Sequence, residues 1–291
     1  MPAILAGVTT TDASSAEDLR VELDQLFDAA GVDGFVHARD IDSDASAGHH
    51  AEEPVLLAST RKIALLLELE RGLAAGEWDP MERLRLSASS PKLVGFGIPQ
   101  LQDEVEISLR DLAVLMISVS DNQATGLIAA RVGADRVNAT LRELGFGDFV
   151  FRHPTYQSAA HDTAEPFARP ELGAHATAIA STGLLAAIWR GEAGTPAACA
   201  EVRRVLATQV WPHRLRAGFR DEVRVAGKTG SFMGWKNEAG VAEFPEGGRY
   251  AIAVFTRLRQ PPEEMRATAQ DLVIGPAAAA AVAWLRERQG A

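Results

Sequence analysis

The 291-residue sequence contains a single cysteine, Cys199, so it forms no intramolecular disulfide. The cysteine content therefore does not indicate whether the protein works in an oxidising or a reducing compartment. It also lacks an apolar run near the roughly 18 residues that a membrane span needs. The first residues lack the basic start of a secretion signal. As written, the chain is expected to be cytoplasmic, or secreted or periplasmic if a signal has been removed.

The sequence has fewer basic than acidic residues. There are 29 basic and 39 acidic residues, which gives a net charge of −10. A chain of this charge repels phosphate backbones and anionic lipid, so neither nucleic acid nor a membrane is expected as a partner. With 47% hydrophobic and 23% charged residues, the composition is that of a soluble globular protein. We expect a monomer that binds a small molecule.

Lysine is the scarcest basic residue, because 25 of the 29 basic side chains are arginines. Arginine stays protonated at any useful pH, whereas a buried lysine can lose its proton and act as a base. The positions that keep lysine are therefore candidates for chemistry. They are Lys62, Lys92, Lys228 and Lys236.

Strand patterns stand at both ends of the sequence. Residues 34–42 alternate as a strand does, residues 53–58 begin a second extended piece, and residues 43–52 between them predict a polar turn. Near the other end, residues 222–226 predict a strand. Residues 240–244 and 249–257 predict a hairpin around a Pro-Glu-Gly-Gly turn.

The middle of the chain is predicted to be mostly helical. Residues 62–72 are apolar nearly all round, as in a buried helix, and Ser108 and Asp111 have capping-box spacing before another helix. A further helix is predicted over 277–289. We therefore expect a mixed α/β domain of residues 1–57 plus 207–291 and an all-helical domain of residues 58–206. A ligand is expected in the cleft between them.

Ser59 and Lys62 form a Ser-x-x-Lys motif at the start of the buried helix. The serine hydroxyl is expected near the helix N-terminus, where the dipole favours negative charge, and Lys62 faces the same side one turn later. An apolar environment lowers the pKa of a lysine toward neutrality, so that it can serve as a base. Alone, the motif also fits an ordinary helix start.

A second motif, Ser120-Asp121-Asn122, falls between two predicted helices. It places polar side chains on a tight turn. The same three residue types are common in turns and helix caps that have no other role.

The third motif begins at Lys228 and continues through Thr229 and Gly230 to Ser231, directly after the predicted strand 222–226. The glycines at 227 and 230 let a ligand approach the backbone. A strand end with a polar turn explains it equally well in isolation.

In this order and with these separations, the three motifs resemble those of class A β-lactamases and penicillin-binding proteins. The resemblance covers nearly the whole chain. It implies an α/β (α+β) fold in which a five-stranded antiparallel sheet is flanked by helices and carries the helical domain as an insertion. It implies no cofactor and no metal.

The resemblance also implies roles for the motif residues. Ser59 resembles the acylated nucleophile, Lys62 its base or proton relay, and Ser120 the hydroxyl that passes a proton to the leaving nitrogen. Lys228 adds positive potential. The backbone N–H groups of Ser59 and Ser231 resemble an oxyanion hole.

A second group of residues is implied to bind the substrate. Asn122 resembles a hydrogen-bond partner for the substrate amide, and Thr229 and Ser231 resemble the hydroxyls that bind its carboxylate. Family members also use an arginine for this carboxylate. Lys236 falls near one of its two known positions and Arg214 near the other, although each also fits a solvated surface charge.

One family motif is missing. Class A β-lactamases activate the deacylating water with a glutamate in Glu-x-x-Leu-Asn, about 35 residues after the Ser-Asp-Asn serine. The sequence has no such pentapeptide. The corresponding stretch offers Tyr156, Asp162, Glu165 and Glu171. Acylation is thus better supported than hydrolysis, and we expect slow deacylation or a different acyl substrate.

Two other hydrolase classes find no support in the sequence. The adjacent histidines His49 and His50 have no third ligand at metal spacing, which disfavours a zinc hydrolase. A Gly-x-Ser-x-Gly elbow is absent, which disfavours a Ser-His-Asp hydrolase.

Two functions remain open. The first is an active acyl hydrolase, either a β-lactamase or a related esterase or D-amino-acid peptidase that takes an ester or peptide substrate. The second is a binding or sensor protein that captures an acyl donor without releasing it.

Overall fold

The computed structural model describes residues 16–152, 169–259 and 268–289. Its centre is a five-stranded antiparallel sheet with the strand order β2-β1-β9-β8-β7. This confirms the predicted fold class, with strands from both ends of the chain meeting in one sheet. The strands are β1 (Val32–Asp40), β2 (Ser46–His49), β7 (Arg224–Phe232), β8 (Trp235–Glu243) and β9 (Arg249–Leu258).

The predicted hairpin is formed by β8 and β9. Their pairing closes at Glu243 and Arg249, and the N–H of Phe244 donates to the carbonyl of Gly248. Gly247 and Gly248 have φ values of +107° and +93°, which residues with a Cβ rarely adopt. The Gly-Gly pair therefore permits this turn.

The polar turn predicted over residues 43–52 was only partly right. The turn is shorter, because the Asp40 carboxylate accepts hydrogen bonds from the backbone N–H groups of Asp42 and Ser43 at 2.6 and 3.0 Å. The chain then returns as the edge strand β2, which pairs with residues 36–39 of β1. The strand Ser46–His49 contains no large apolar side chain that would mark it as a strand in the sequence, and it is held by its pairing with β1.

Helices cover one face of the sheet. They are α1 (Ala16–Ala30) and α9 (Ile274–Gln289), and a short helix α8 (Thr268–Leu272) precedes α9. Alternate residues of the strands point into this layer, as the two-residue period of a strand requires. The buried residues here include Leu23, Phe27, Val36, Ile252 and Ala278.

The opposite face of the sheet packs against a block of helices. Helix α2 is buried from Lys62 to Glu70, as its apolar pattern predicted. Ser108 caps α3 by accepting a hydrogen bond from the N–H of Asp111 at 3.3 Å, which confirms the predicted capping position. The helices are α2 (Lys62–Ala74), α3 (Leu109–Ser118), α4 (Asn122–Val132), α5 (Ala134–Glu143), α6 (Ala178–Arg190) and α7 (Pro196–Leu206).

Residues 58–206 also contain extended segments that the sequence did not indicate. Strands β4 (Arg83–Leu86) and β5 (Val105–Ser108) form a separate antiparallel pair, with Arg83 and Glu106 in ionic contact across it. The predicted extended piece at 53–58 includes β3 (Val55–Leu56). It pairs with β6 (His175–Ala176) and not with the main sheet. Strands of two to four residues are too short to produce a readable period.

In the part of the chain that the structure describes, every helix is too short or too polar to cross a bilayer.

Candidate active site

Ser59 lies in a 3₁₀ turn, Ala58–Arg61, that leads directly into α2. The α-helix itself begins at Lys62, so the serine precedes it and does not open it as predicted. The hydroxyl of Thr60 donates to the Leu57 carbonyl at 2.7 Å, which fixes the turn. Ala58 has a φ of +50°, a conformation that costs a non-glycine residue about 1–2 kcal/mol.

Lys62 is completely buried, and its amine contacts the Ser-Asp-Asn turn. Its Nζ donates to the carbonyl oxygen of Ser120 at 2.8 Å, to the Ser120 hydroxyl at 3.1 Å and to Asn122 Oδ1 at 3.1 Å. Burial holds the pKa of Lys62 well below its usual value, and the positive charges of Lys228 and Arg61 add to this effect. The structure thus brings the first two motifs together.

The turn that carries Ser120 is held from both sides. Ser120 has a φ of +61°, and Asp121 caps α4 by accepting the N–H of Ala124 at 2.9 Å. The second carboxylate oxygen of Asp121 accepts the N–H of Ile98 at 2.6 Å. Asn122 donates through Nδ2 to the Val94 carbonyl at 2.7 Å. Asp121 is therefore a positioning residue, a role that the sequence did not reveal.

Lys228 lies inside β7, and the strand continues past the point where the sequence predicted it to end. The side chain is fully buried, with Nζ 3.0 Å from the Thr229 carbonyl. Burial lowers the pKa of Lys228 to about 7, although the nearby carboxylate of Glu238 opposes this shift. The charge of Lys228 also acts on Lys62, so the first and third motifs are electrostatically coupled.

Gly230 brings β7 against the turn that carries the candidate nucleophile. A Cβ added at Gly230 would lie 2.7 Å from the Leu57 carbonyl oxygen and 3.0 Å from the Ser59 nitrogen. Contacts this short exclude any side chain. The backbone of the third motif therefore runs directly beside that of Ser59.

Glu238 is a buried acid that the sequence analysis missed. It faces Thr229 across the β7–β8 pairing. Its carboxylate accepts from Gln209 Nε2 at 2.6 Å and from the Leu215 N–H at 2.8 Å, and Gln209 in turn accepts the N–H of Thr229 at 2.7 Å. Burial raises the pKa of Glu238 to about 7. Lys236 and Asn237 directly precede Glu238 in β8, so the sequence contains no signal that this acid is buried.

Arg214 and Ser231 are in direct contact. The guanidinium is buried, donates to the Ser231 hydroxyl at 2.6 Å and also bonds the carbonyls of Gly230 and Asn237. Its Nε donates to Asp271 at 2.8 Å. Arg214 is buried beside the third motif. The alternative interpretation, that it is a solvated surface charge, is therefore wrong.

Lys236 approaches the same place through Asp271. Its Nζ lies 2.5 Å from Asp271 Oδ2, and its side chain is 23% exposed. Asp271, in α8, therefore pairs with both Arg214 and Lys236. This shared carboxylate was not foreseen, because it lies far along the chain from both cations.

Aromatic side chains line a surface beside Asn122. Phe96 and Trp211 are in contact, with their ring centroids 5.3 Å apart and their planes tilted by 56°. Phe96 follows Val94, whose carbonyl is bonded to Asn122, and Trp211 follows Val210, whose N–H bonds the Ser118 carbonyl. Val94, Phe96 and Val210 are exposed. The Ser-Asp-Asn turn therefore has an exposed apolar surface beside it.

One of the four candidate water activators can be placed. Glu171 lies in the 3₁₀ turn Pro170–Leu172, where it is exposed and its carboxylate is 3.0 Å from Arg169 Nε. A backbone hydrogen bond, together with Arg169, lowers its pKa, which makes it a weaker base. Tyr156, Asp162 and Glu165 lie outside the described residues.

Comparison with known proteins gives consistent matches. The β-lactamase regulatory protein BlaB of Streptomyces cacaoi is 25% identical over 286 residues, covering 85% of this chain and 91% of that protein. The β-lactamase from Sphaerobacter thermophilus is 26% identical with a TM-score of 0.79, covering 92% of this chain and 97% of its own.

A mutant class A β-lactamase of the last common ancestor of Gram-negative bacteria shares the fold. Its TM-score is 0.81 at 21% identity, covering 92% of this chain and 98% of that one. The profile of the β-lactamase enzyme family matches residues 18–285, nearly the full length of the chain. The fold and this match support a serine acyl-transfer or hydrolysis function. The chain therefore belongs to the β-lactamase enzyme family and has the fold of its class A members.

Proposed function

We propose that the chain is a serine acyl hydrolase that forms an acyl enzyme on Ser59 with a β-lactam or a related amide or ester, and that it deacylates slowly. The observation that carries this proposal is the contact of the buried Lys62 amine with the Ser120 hydroxyl at 3.1 Å. An amine with a lowered pKa and a hydroxyl within hydrogen-bond distance form a path for a proton.

In the proposed reaction, Lys62 in its neutral form takes the proton of the Ser59 hydroxyl. The serine oxygen forms a bond to the substrate carbonyl carbon. The C–N bond then breaks as Ser120 gives its proton to the leaving nitrogen, and Ser120 recovers a proton from Lys62. The backbone N–H groups of Ser59 and Ser231 stabilise the negative charge that develops on the carbonyl oxygen.

We place the substrate between β7 and the Ser-Asp-Asn turn. Thr229, Ser231 and Arg214 bind its carboxylate, with Lys228 and Lys236 adding positive potential. The 2.6 Å contact between Arg214 and Ser231 supports this assignment. It brings a guanidinium and a hydroxyl, both of which can bind a carboxylate, next to each other beside β7. Asn122 binds the amide of the acyl group.

We infer slow deacylation from the missing family pentapeptide and from the one candidate base, Glu171, that lies in the described part of the chain. The family pentapeptide is absent from the sequence, and Glu171 is exposed and paired with Arg169. Hydrolysis of an acyl enzyme needs a positioned water and a base to activate it. Acylation needs Lys62 as the base for Ser59 but does not need this water or its activating base.

A sensor or penicillin-binding function is the second candidate. It is favoured by the relative from Streptomyces cacaoi, which is named a β-lactamase regulatory protein. A sensor needs the same acylation chemistry on Ser59 but gains from an acyl enzyme that persists. The two functions therefore differ in the rate of deacylation.

The test is intact-mass spectrometry over time after the protein is mixed with benzylpenicillin. We expect one adduct on the wild-type protein and none on Ser59→Ala. The control Ser89→Ala, at an exposed serine, should form the same adduct as the wild type. Persistence of the adduct supports capture, and clearance with product release supports a working β-lactamase.

If benzylpenicillin leaves no adduct, ester and D-amino-acid peptide donors are tested in the same way. Acylation that survives in Ser59→Ala would overturn the assignment of the nucleophile. Failure of all three donor classes would overturn the proposed function.

A further inference from the structure

Three potential metal ligands from different elements lie close together: Asp24, His49 and His50. Asp24 lies on α1, His49 ends β2, and His50 follows it. Their candidate ligand atoms all lie within 4.8 Å of one another. The sequence showed the two histidines without a third ligand, because Asp24 approaches them only when α1 packs on the sheet.

The geometry points to a Zn²⁺ site formed by Asp24, His49 and His50, which we propose as a second site in this protein. His49 Nε2 lies 3.4 Å from Asp24 Oδ1. Zn²⁺ bonds of about 2.0–2.1 Å in a tetrahedron place neighbouring ligand atoms about 3.3 Å apart. This pair therefore already has the separation that one zinc ion requires.

Glu53 determines which nitrogen of the His50 ring can bind the same ion. Its carboxylate lies 2.8 Å from His50 Nδ1, and a carboxylate can only accept, so Nδ1 carries the proton. In the neutral imidazole, the lone pair that binds a metal then lies on the other ring nitrogen, Nε2. Histidines that bind metal commonly donate their second N–H to a carboxylate in this way.

The fold holds the two rings beside each other. His50 has a φ of +47°, an uncommon backbone conformation for a residue with a Cβ. The His49 and His50 ring centroids are 4.3 Å apart, and the His49 ring stacks on Phe27 of α1. Both imidazoles therefore have limited freedom, which reduces the entropy lost on binding an ion.

The charges around the site also fit a cation. The ligands lie in a polar cleft of about 270 Å³, which four acidic residues and two arginines line. Both arginines are engaged elsewhere in the cleft: Arg257 pairs with Asp33 at 2.9 Å, and Arg259 contacts Asp28 and Asp33. Asp24 and Glu53 are therefore left to balance the charge of a zinc ion. Arg20 is a nearby cation that opposes binding.

Bound zinc would link α1 to the end of β2. Asp24, on the helix, and the two histidines, at the sheet edge, would then separate only after the ion is lost.

The test is a zinc titration of the full chain by isothermal calorimetry after treatment with EDTA, with Co²⁺ as a spectroscopic substitute. We expect one ion per chain and visible absorption typical of tetrahedral cobalt. Asp24→Asn and His50→Asn should each weaken binding at least about tenfold. Glu22→Gln removes one exposed charge from the same helix and should bind as the wild type does.

Circular dichroism in EDTA checks that the variants are folded, and we expect them to be, because the Asp24 side chain is 60% exposed and His50 is exposed as well. A wild-type chain that binds no zinc would overturn the proposal. So would variants that bind the same number of ions with the same affinity. Neither result depends on the function of Ser59.

Discussion

The amine nitrogen of Lys62 lies 3.1 Å from the hydroxyl oxygen of Ser120. The backbone of Ser120 has a φ of +61°, in the left-handed region. The lysine is buried at the start of α2, whereas the serine lies on a turn between two other helices. The contact therefore exists only in the folded chain. It joins two groups whose exchange of a proton would drive acylation.

Replacing Lys62 with arginine should lower the acylation rate by about 10²–10⁴-fold, the usual contribution of a general base. Arginine keeps the charge and much of the volume but stays protonated. The rate constant for the benzylpenicillin adduct, measured by quenched-flow mass spectrometry, checks this. The control is Lys92→Arg, at an exposed lysine. Wild-type acylation by Lys62→Arg would remove Lys62 from the mechanism.

The wild-type protein should also show a pH dependence. Lys62 accepts a proton only when neutral, so acylation should slow as the pH falls through its lowered pKa.

Replacing Glu238 with glutamine should weaken the binding of an anionic substrate. The Glu238 carboxylate raises the pKa of Lys228 and so helps to keep that lysine charged. Without it, Lys228 loses its proton more readily near pH 7. The concentration of benzylpenicillin that gives half-maximal acylation should rise, and more so at pH 8 than at pH 6.

A neutral ester donor separates this effect from a general loss of structure, because its binding does not need the charge of Lys228. Glu243→Gln, at the other end of β8, is the matched control. Equal losses with the neutral and the anionic donor would show that Glu238 acts only through the structure.

The sequence predicted the parts of the fold that have long, regular patterns. The hairpin of residues 240–257 and the buried helix from Lys62 were recognisable because many residues repeat the same period. Strand β2 was missed because its pairing partner, not its own residues, determines its conformation. Strands β4 and β5 do alternate between polar and apolar residues, but four residues are too few to distinguish a strand from a helix.

The candidate site was predicted where residues lie close together in sequence and missed where they do not. Ser59 and Lys62 are one helical turn apart, so their relationship could be read directly. Asp271 meets Arg214 and Lys236 only after α8 packs beside the sheet. An acid such as Glu238 in a strand normally indicates a solvated face, and only the burial of β8 on both sides shows otherwise.

Glu70 should make the stability of the protein depend on pH. Burial, together with nearby Glu201, raises its pKa from 4.5 to about 7. Between these values the folded state binds a proton that the unfolded state has lost, so the free energy of unfolding falls as the pH rises from about 5 to 8. At 1.36 kcal/mol per pKa unit, the loss is at most about 3 kcal/mol.

Replacing Glu70 with glutamine removes this ionisation. Relative to the wild type, the variant should gain stability steadily from pH 5 to pH 8. Urea unfolding at several pH values measures the difference. Glu192→Gln, at an exposed acid, should leave the pH profile unchanged. A difference between Glu70→Gln and the wild type that stays constant with pH would refute the role given to Glu70.

The strained backbone at Ser120 provides a way to separate stability from chemistry. Ser120→Gly and Ser120→Ala both remove the hydroxyl that contacts Lys62, so both should lose acylation to a similar extent. Only glycine relieves the positive φ, which costs a residue with a Cβ about 1–2 kcal/mol. We therefore expect Ser120→Gly to be more stable than Ser120→Ala by about that amount in urea unfolding. Equal stabilities would mean that the turn relaxes when the hydroxyl is absent, and that the hydrogen bond from Lys62 is what holds Ser120 in this conformation.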